Sequence, residues 1–244
     1  MNNDPYIVTA FLKAKEREKW AADGTNPIIT ISRQMGAEGE AIAYRTGEIL
    51  TEMGNFSQPW VVVDKDLGER VIADHHLPKQ ISRFFTDEQT LSIEEHIEGI
   101  LGISVPGAKM IENMVRTVVQ LARIGQVILV GRAAHLITAK FPRAVHVRII
   151  GSFERRVERI AERQQCSWNE AASEVRTVDN QRRHFVSTYF HADSTDMQHF
   201  DMIFNTDRIS VEECARLIAQ LVSSPDFRKE KALKLQELRH QVLG

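Results

Sequence analysis

Residues 28–43 read IITISRQMGAEGEAIA, and this stretch decides the fold of the chain. β-branched apolar residues at positions 28, 29 and 31 predict a buried strand that ends at Ser32 and Arg33. A glycine-spaced turn, GAEG, follows at 36–39, and apolar residues at 42, 49 and 50 then recur with helical spacing. Strand, glycine turn and helix are how α/β proteins build a phosphate cradle. The lysine and hydroxyl residue of G-x-x-x-x-G-K-[ST] are absent, so a degenerate nucleotide site and a plain βα turn both stay open.

The composition is that of an ordinary globular protein, with 244 residues, 43% hydrophobic and 26% charged. A formal net charge of -2 disfavours broad binding to nucleic acid or to acidic membranes, so an anion site would need locally placed arginines. Cys166 and Cys214 lie far apart, which favours a reduced, cytoplasmic protein with structural cysteines. No apolar run reaches the length of a membrane span, the polar start MNNDPY is not typical of a signal peptide, and no metal cage is predicted.

Apolar strands alternate with amphipathic helices after the opening unit, which predicts an α/β fold with a parallel sheet covered on both faces. The predicted further strands are 60–63, 127–130, 145–150 and 201–205. The predicted helices are 110–124, 133–139, 152–164, one capped by Ser167 and running towards 189, and one capped by Ser210 and running to 222.

The domain organisation follows from these elements. We expect one α/β domain, residues 27–222, with helices appended at both ends. The appended helices lie within 1–26 and within 223–244. Inside the domain we expect an insertion or acceptor-binding region at 75–107 and lid-like helices at 165–195. The terminal helices favour either a homodimer or packing on their own domain.

Three predicted strands end in polar turns: Ser32-Arg33 onward, Asp64-Lys65 and Gly131-Arg132. In a doubly wound sheet such ends meet at one crevice, and backbone N–H groups with Arg33 and Arg132 suit phosphate. Asp64 has two readings, a site residue and a helix N-cap.

A second informative stretch is 176–183, in which Arg176, Asp179 and Arg183 share one helical face with Arg182 nearby. Asp179 is expected to hold the guanidinium groups in place while they contact a transferring phosphoryl group. The alternative is a solvated helix with ordinary ion pairs. On the preceding helix, arginines alternate with glutamates, and we expect a solvated face there; these are Arg155, Arg156, Arg159 and Arg163.

Four motifs together resemble the cytidylate kinase-like family. They are ITISRQMGAEGEAIA, VILVGRAAHLI, Arg176-x-x-Asp179-x-x-Arg182, and HFDMIFNTDRISVEECARLI. The resemblance covers residues 28 to about 222. It implies a three-layer P-loop nucleoside monophosphate kinase fold, ATP and Mg²⁺ as cofactors, and CMP or dCMP as the acceptor nucleotide.

The resemblance also implies roles for residues. Arg132 would contact the acceptor's phosphate, and Asp179 would orient the arginines that close over the transferring group. Those arginines are Arg176, Arg182 and Arg183. Ser32, Arg33, Gly36, Ala37, Glu38, Gly39 and Glu40 would surround the donor phosphates, and Asn205, Thr206 and Asp207 would lie near the adenine. Asp64 is expected as a second acceptor-site residue from its position at a strand end, not from the resemblance.

The chain departs from the family pattern at two places. Gly39 and Glu40 stand where a full phosphate loop has lysine and Ser/Thr, and Glu38 adds a second carboxylate to the turn; Ala133 replaces the aspartate that cytidylate kinases carry. An uncompensated carboxylate about 4 Å from a phosphate costs on the order of 1–4 kcal/mol. Two alternatives therefore stand beside the kinase: a non-catalytic nucleotide-binding regulator, and a kinase for another small metabolite.

Overall fold

The computed structural model describes residues 26–56, 59–64, 115, 118–119 and 121–224. The strands are β1 (Ile28–Arg33), β2 (Val61–Val63), β3 (Val127–Val130), β4 (Ala144–Ile150) and β5 (Met202–Asn205). The helices are α1 (Gly39–Glu52), α2 (Ala134–Ile137), α3 (Phe153–Gln164), α4 (Trp168–Phe190) and α5 (Val211–Ser223), and a 3₁₀ turn spans Met197–His199. A further helical segment ends at residue 124.

The five strands form one parallel sheet in the order β2-β3-β1-β4-β5. β1 is central, with β3 on one side and β4 on the other. Because all strands point the same way, the turns after β1, β2, β3, β4 and β5 lie along one edge of the sheet. The α/β class with helices on both faces of a parallel sheet is confirmed.

Two apolar cores cover the two faces of the sheet. Ile29 and Ile31 of β1 and Val147 of β4 pack with α1 and α5 on one face. Ile28 and Leu129 pack on the other face against the helical segment that ends at residue 124. Fully buried apolar strands are typical of parallel sheets that are covered on both sides, and they place the sheet at the centre of the domain.

The predicted elements match the observed ones to within one or two residues over the described part of the chain. Ser167 and Ser210 both form capping boxes, in which the serine hydroxyl accepts from the backbone N–H of Glu170 or Glu213 and that glutamate binds back. The predicted terminal helices and the 75–107 region lie outside the described residues. None of the described helices has the length and apolarity that a membrane crossing would need.

Candidate functional site

The turn after β1 is held in a conformation that requires glycine. Gly36 has a positive φ of 74°, and a Cβ there would lie 2.5 Å from the carbonyl oxygen of Arg156. Glu38, the residue before α1, also has a positive φ, 62°. The turn therefore packs directly on the backbone of α3 and delivers the chain to the N-terminus of α1, where backbone N–H groups favour an anion.

Arg33, the last residue of β1, lies across two glycine turns. A Cβ at Gly39 would come within 2.7 Å of the Arg33 Cβ, and a Cβ at Gly131 would collide with its guanidinium. Nε and Nη2 of Arg33 donate to the same oxygen of Glu40, at 2.8 and 2.7 Å. Gly39 thus leaves room for the aliphatic stem of Arg33 and Gly131 for its guanidinium, which lies at the start of α1, where a full phosphate loop would supply its lysine.

The two glutamates of the turn each face an arginine. Burial alone would raise the pKa of Glu40, but the Arg33 charge and hydrogen bond hold that pKa below its ordinary value. The Glu38 carboxylate lies 3.7 Å from Nε of Arg159. Each carboxylate of the turn therefore has a positive charge beside it. The repulsion of phosphate expected from the sequence assumed carboxylates without such a partner, so that assumption does not hold.

Asp179 of α4 ties the turn to α3. Its Oδ1 accepts from the backbone N–H of Met35 at 2.8 Å, and its Oδ2 accepts from Nη1 of Arg156 at 2.6 Å. Arg156 is 5% exposed and also donates to the carbonyls of Met35 (2.9 Å) and Gly151 (3.1 Å). The Asp179 carboxylate and the Arg156 guanidinium thus hold the backbone of Met35, where the chain enters the turn.

Arg159, one helical turn further along α3, connects the turn to the end of β5. Its Nη1 donates to the Thr206 hydroxyl (2.9 Å) and to the Gly36 carbonyl (3.3 Å), and its Nη2 donates to the Thr206 carbonyl (2.9 Å). Asp207 accepts from the Ser152 backbone N–H at 2.7 Å, and Asn205 accepts from the Asp207 N–H at 3.0 Å. The segment 205–207 is therefore hydrogen-bonded to the first part of α3.

Arginines of β4 and α4 also reach the end of β1. Nη1 of Arg182 donates to the Arg33 carbonyl at 3.1 Å, and Nη1 of Arg148 donates to the Ser32 hydroxyl at 3.1 Å. Arg176 lies over the Phe153 ring, 4.6 Å from its centroid. Arg183 donates to Asn180 and is exposed. Of the three arginines expected to close over the site, Arg182 contacts it directly.

Asp64 directly follows β2, and Arg132 lies two residues after β3, at the same edge of the sheet. Arg132 and Ala133 both have positive φ, 56° and 52°, so the chain turns sharply between β3 and α2. Asp64 is buried and accepts from the Tyr44 hydroxyl of α1. The residues that would test the helix-cap reading of Asp64 lie outside the described part of the chain.

One expectation about arginine placement is wrong, and another stays a prediction. Asp179 binds Arg156 and the Met35 N–H, and its expected role in orienting Arg176, Arg182 and Arg183 stays a prediction. Arg156 and Arg159 belong to the walls of the turn, where the sequence suggested a solvated face. The signal for Arg156 is helical spacing. Residues 153, 156, 157 and 160 are spaced i, i+3, i+4 and i+7, and Phe153, Val157 and Ile160 are apolar, so Arg156 lies in an apolar stripe.

No role was predicted for Arg148 from the sequence. It occupies a strand whose residues at 144–149 are all buried, and a charged residue in such a strand is itself a signal.

Comparisons with known proteins identify the family and the fold of the chain. The model of the cytidylate kinase-like family matches residues 28–208. No curated protein matches the chain. A crystal structure of an uncharacterized protein from Eubacterium ventriosum has the same fold, with a TM-score of 0.57 and 17% sequence identity over 82% of this chain and 99% of that one. Because the family model covers well over half of the sequence, this chain belongs to the cytidylate kinase-like family.

Proposed function

We propose that this protein is an ATP-dependent nucleoside monophosphate kinase that transfers the γ-phosphoryl group of ATP to a pyrimidine nucleotide, CMP or dCMP, or to a related acceptor. In this reaction a phosphate oxygen of the acceptor attacks the γ-phosphorus, and the bond from that phosphorus to the β-phosphate oxygen breaks. The products are ADP and a nucleoside diphosphate.

The observation that carries the proposal is the convergence of cationic groups on one glycine turn. Arg33, Arg156, Arg159 and Arg182 all bond to residues 33–40 or to their carbonyls. Phosphoryl transfer needs alignment and neutralisation of charge more than covalent help from the protein, and fixed arginines with backbone amides supply both. The family membership gives the same reaction class.

The donor side of the site fits ATP through the turn and α1. The N-terminus of α1 presents backbone N–H groups, and Arg33 brings a cation to the same place. In our proposal Arg33 takes the part of the missing lysine, and Glu40 fixes the direction of its guanidinium. Gly36, Ala37, Glu38 and Gly39 complete the proposed donor-phosphate site, whereas the Ser32 hydroxyl accepts a hydrogen bond from Arg148 on the other face of the sheet.

The residues near the turn fit a magnesium ion held mainly by the nucleotide. No cluster of three or more His, Cys, Asp or Glu side chains occurs among the described residues, and the nearby carboxylates of Glu38, Glu40 and Asp179 face arginines. Mg²⁺ usually keeps several waters and binds few protein ligands besides substrate phosphates. When bound, it would neutralise charge on the β- and γ-phosphates.

The acceptor side is assigned to the neighbouring strand ends. Arg132 and Asp64, which follow β3 and β2, are proposed to contact the acceptor nucleotide. Arg182 is proposed to contact the transferring group, with Arg176 and Arg183 moving inward on nucleotide binding. Asn205, Thr206 and Asp207 are proposed to lie beside the adenine.

A coupled assay of ADP release tests the reaction. ATP and Mg²⁺ are mixed with the protein and with CMP, dCMP, UMP or AMP in turn, and turnover above the acceptor-free rate with CMP or dCMP is expected. Absence of turnover with every pyrimidine monophosphate contradicts the acceptor assignment. A wider screen of phosphate- and hydroxyl-bearing metabolites then tests the other kinase hypothesis.

A second candidate, a nucleotide-binding regulator without catalysis, is favoured because hydrogen-bond donors of the turn already have acceptors within the protein. The Asp179 carboxylate accepts from the Met35 N–H, and Glu40 accepts from Nε and Nη2 of Arg33. A regulator of this kind would bind ATP with no acceptor-dependent ADP release. The matched substitutions Arg132→Ala and Arg182→Ala would then leave function in cells unchanged, whereas loss of measurable phosphoryl transfer in them contradicts this candidate.

A further inference from the structure

The face of the sheet opposite α1 and α5 carries a row of polar side chains at its centre. Thr30 pairs in register with His146, and Ser32 with Arg148, across β1 and β4. The Thr30 hydroxyl lies 2.9 Å from Nδ1 of His146, and the Ser32 hydroxyl accepts from Arg148. Their apolar neighbours Ile31 and Val147 point into the other core. Polar residues inside a parallel sheet are costly, so this row calls for an explanation.

Arg148 is the residue in this row whose environment is least satisfied. It is 8% exposed, and among the described residues its guanidinium donates one hydrogen bond, to the neutral Ser32 hydroxyl. None of the ion pairs within the described part of the chain involves Arg148. The Phe200 ring, with its centroid 5.5 Å from Cζ, covers one side. Arginine has five N–H donors, and an unpaired buried guanidinium is destabilising unless an anion joins it.

The free donors of Arg148 can be reached. Arg148 keeps an exposed fraction of 8%, and neither Nε nor Nη2 is a fully buried, unbonded atom among the described residues. Arg148 lies two residues before the end of β4, beside Ser32 and therefore beside Arg33, whose carbonyl binds Arg182. Asp179 and Asp193 lie near enough to favour its charged form, although burial lowers the pKa of Arg148 below its ordinary value. A charged group in this setting is suited to a phosphate oxygen.

We propose that Arg148, with the Ser32 hydroxyl, binds a phosphoryl group of the acceptor nucleotide at the carboxyl end of β1 and β4. The acceptor is favoured over ATP because Arg148 faces away from α1, the helix whose N-terminus serves the donor in the proposed function. This inference rests on that proposed function for the name of the ligand. The anion site itself does not depend on turnover.

The first experiment uses inorganic phosphate as the probe and thermal unfolding of the full chain as the readout. Wild-type melting temperature is expected to rise with phosphate relative to sodium chloride of equal ionic strength. Arg148→Met is expected to lose at least half of that rise, Arg148→Lys to keep an intermediate part, and the exposed control Arg155→Met to keep all of it. No rise in the wild type, or a rise kept by more than half in Arg148→Met, overturns the site.

The variant is suited to this test because methionine removes the charge and keeps an apolar chain of similar length. Replacing an uncompensated buried charge with an apolar side chain is often neutral or stabilising. In phosphate-free buffer Arg148→Met is therefore expected to melt at the wild-type temperature or above. A lower melting temperature would mean that Arg148 is structural, and would count against the proposal.

The second experiment decides which phosphoryl group is bound. Calorimetric titration with CMP is expected to give a dissociation constant at least 10-fold weaker in Arg148→Met, with ATP binding changed less than 2-fold. The opposite pattern contradicts the acceptor assignment. Failure of the proposed function would look different, because the phosphate-dependent rise would still depend on Arg148 while no acceptor supported ADP release.

Discussion

Helices α3 and α4 both carry several arginines, yet they place them in different ways. Arg156 and Arg159 of α3 are bonded to the backbone of the turn after β1 and to the end of β5. Of the arginines of α4, Arg176 and Arg183 are exposed and Arg182 reaches the carbonyl of Arg33. The difference indicates that the arginines of α3 hold the turn in place, and we propose that those of α4 serve what binds to it.

The largest effect that would test this comparison is on stability. Arg156→Met leaves Asp179 and two backbone carbonyls without their cation, and breaking a buried ion pair from one side costs about 3–5 kcal/mol. For a chain of this size we expect the melting temperature to fall by about 10 °C in differential scanning calorimetry.

The matched control is Arg155→Met, on the adjacent position of the same helix. Arg155 is 67% exposed and pairs with Glu158 at the surface, so its loss is expected to cost less than about 1 kcal/mol. Equal effects of the two substitutions would contradict the structural role given to Arg156.

Low pH is also expected to destabilise the protein, through His135, which lies on neither α3 nor α4. The variants of the two helices should therefore be compared at a pH where His135 is neutral in both the folded and the unfolded chain. His135 is 5% exposed and stacks on Phe200, and burial, followed by the charges of His146, His199 and Arg148, lowers its pKa from 6.5 to about 3. Between those values the unfolded chain binds more protons than the folded one. Stability is therefore complete above about pH 6.5 and decreases as the pH falls towards 3.

The expected loss over that range is a few kcal/mol, measured by denaturant unfolding at several pH values. His135→Phe is expected to flatten the dependence between pH 4 and 6.5. A profile identical to that of the wild type would show that His135 does not carry it.

A substitution on α4 should give the opposite result to one on α3. Arg182→Met is expected to lower kcat about 100-fold, because the cation proposed to contact the transferring group is gone. Its melting temperature should stay within about 2 °C of wild type, since Arg182 is half-buried and bonds a carbonyl at the edge of the sheet. A fall in stability like that of Arg156→Met would remove the distinction between the two helices.

A smaller effect is expected at the turn itself. Glu40→Gln leaves Arg33 in place while removing the negative charge beside the proposed donor phosphates. We expect ATP to bind about 3- to 10-fold more tightly, and less so at high salt because the charges are partly exposed. Weaker binding would show instead that holding the Arg33 guanidinium matters more than the charge of Glu40. Glu48→Gln on the same helix is the control.

Much of this arrangement is readable from the sequence. The strand run at 28–33, the apolar run at 127–130 and the serine caps at 167 and 210 have strong local signals, and the structure has the elements they predict. The GAEG turn between β1 and α1 is readable because the glycine spacing and the change of period are local as well, and its role in binding phosphate stays a prediction.

The partners of the charged residues were not readable in the same way. Asp179 and Met35 are 144 residues apart, and the Arg33 side chain that pairs with Glu40 occupies space left by Gly39 along its stem and by Gly131 at its guanidinium. Alternating Glu and Arg on α3 resembles a solvated face, although the apolar stripe through Arg156 is present in the helical spacing of residues 153, 156, 157 and 160. Which arginines bond to the turn after β1 depends on long-range pairing.

The measurement that tests the central claim most directly is calorimetric titration of ATP with Mg²⁺ into the wild type and Arg33→Met. The account predicts saturable binding by the wild type, a dissociation constant at least 10-fold weaker in Arg33→Met with its circular dichroism spectrum unchanged, and no change in Arg155→Met. No binding by the wild type, or equal binding by Arg33→Met, would contradict the claim that the turn between β1 and α1 is a phosphate site.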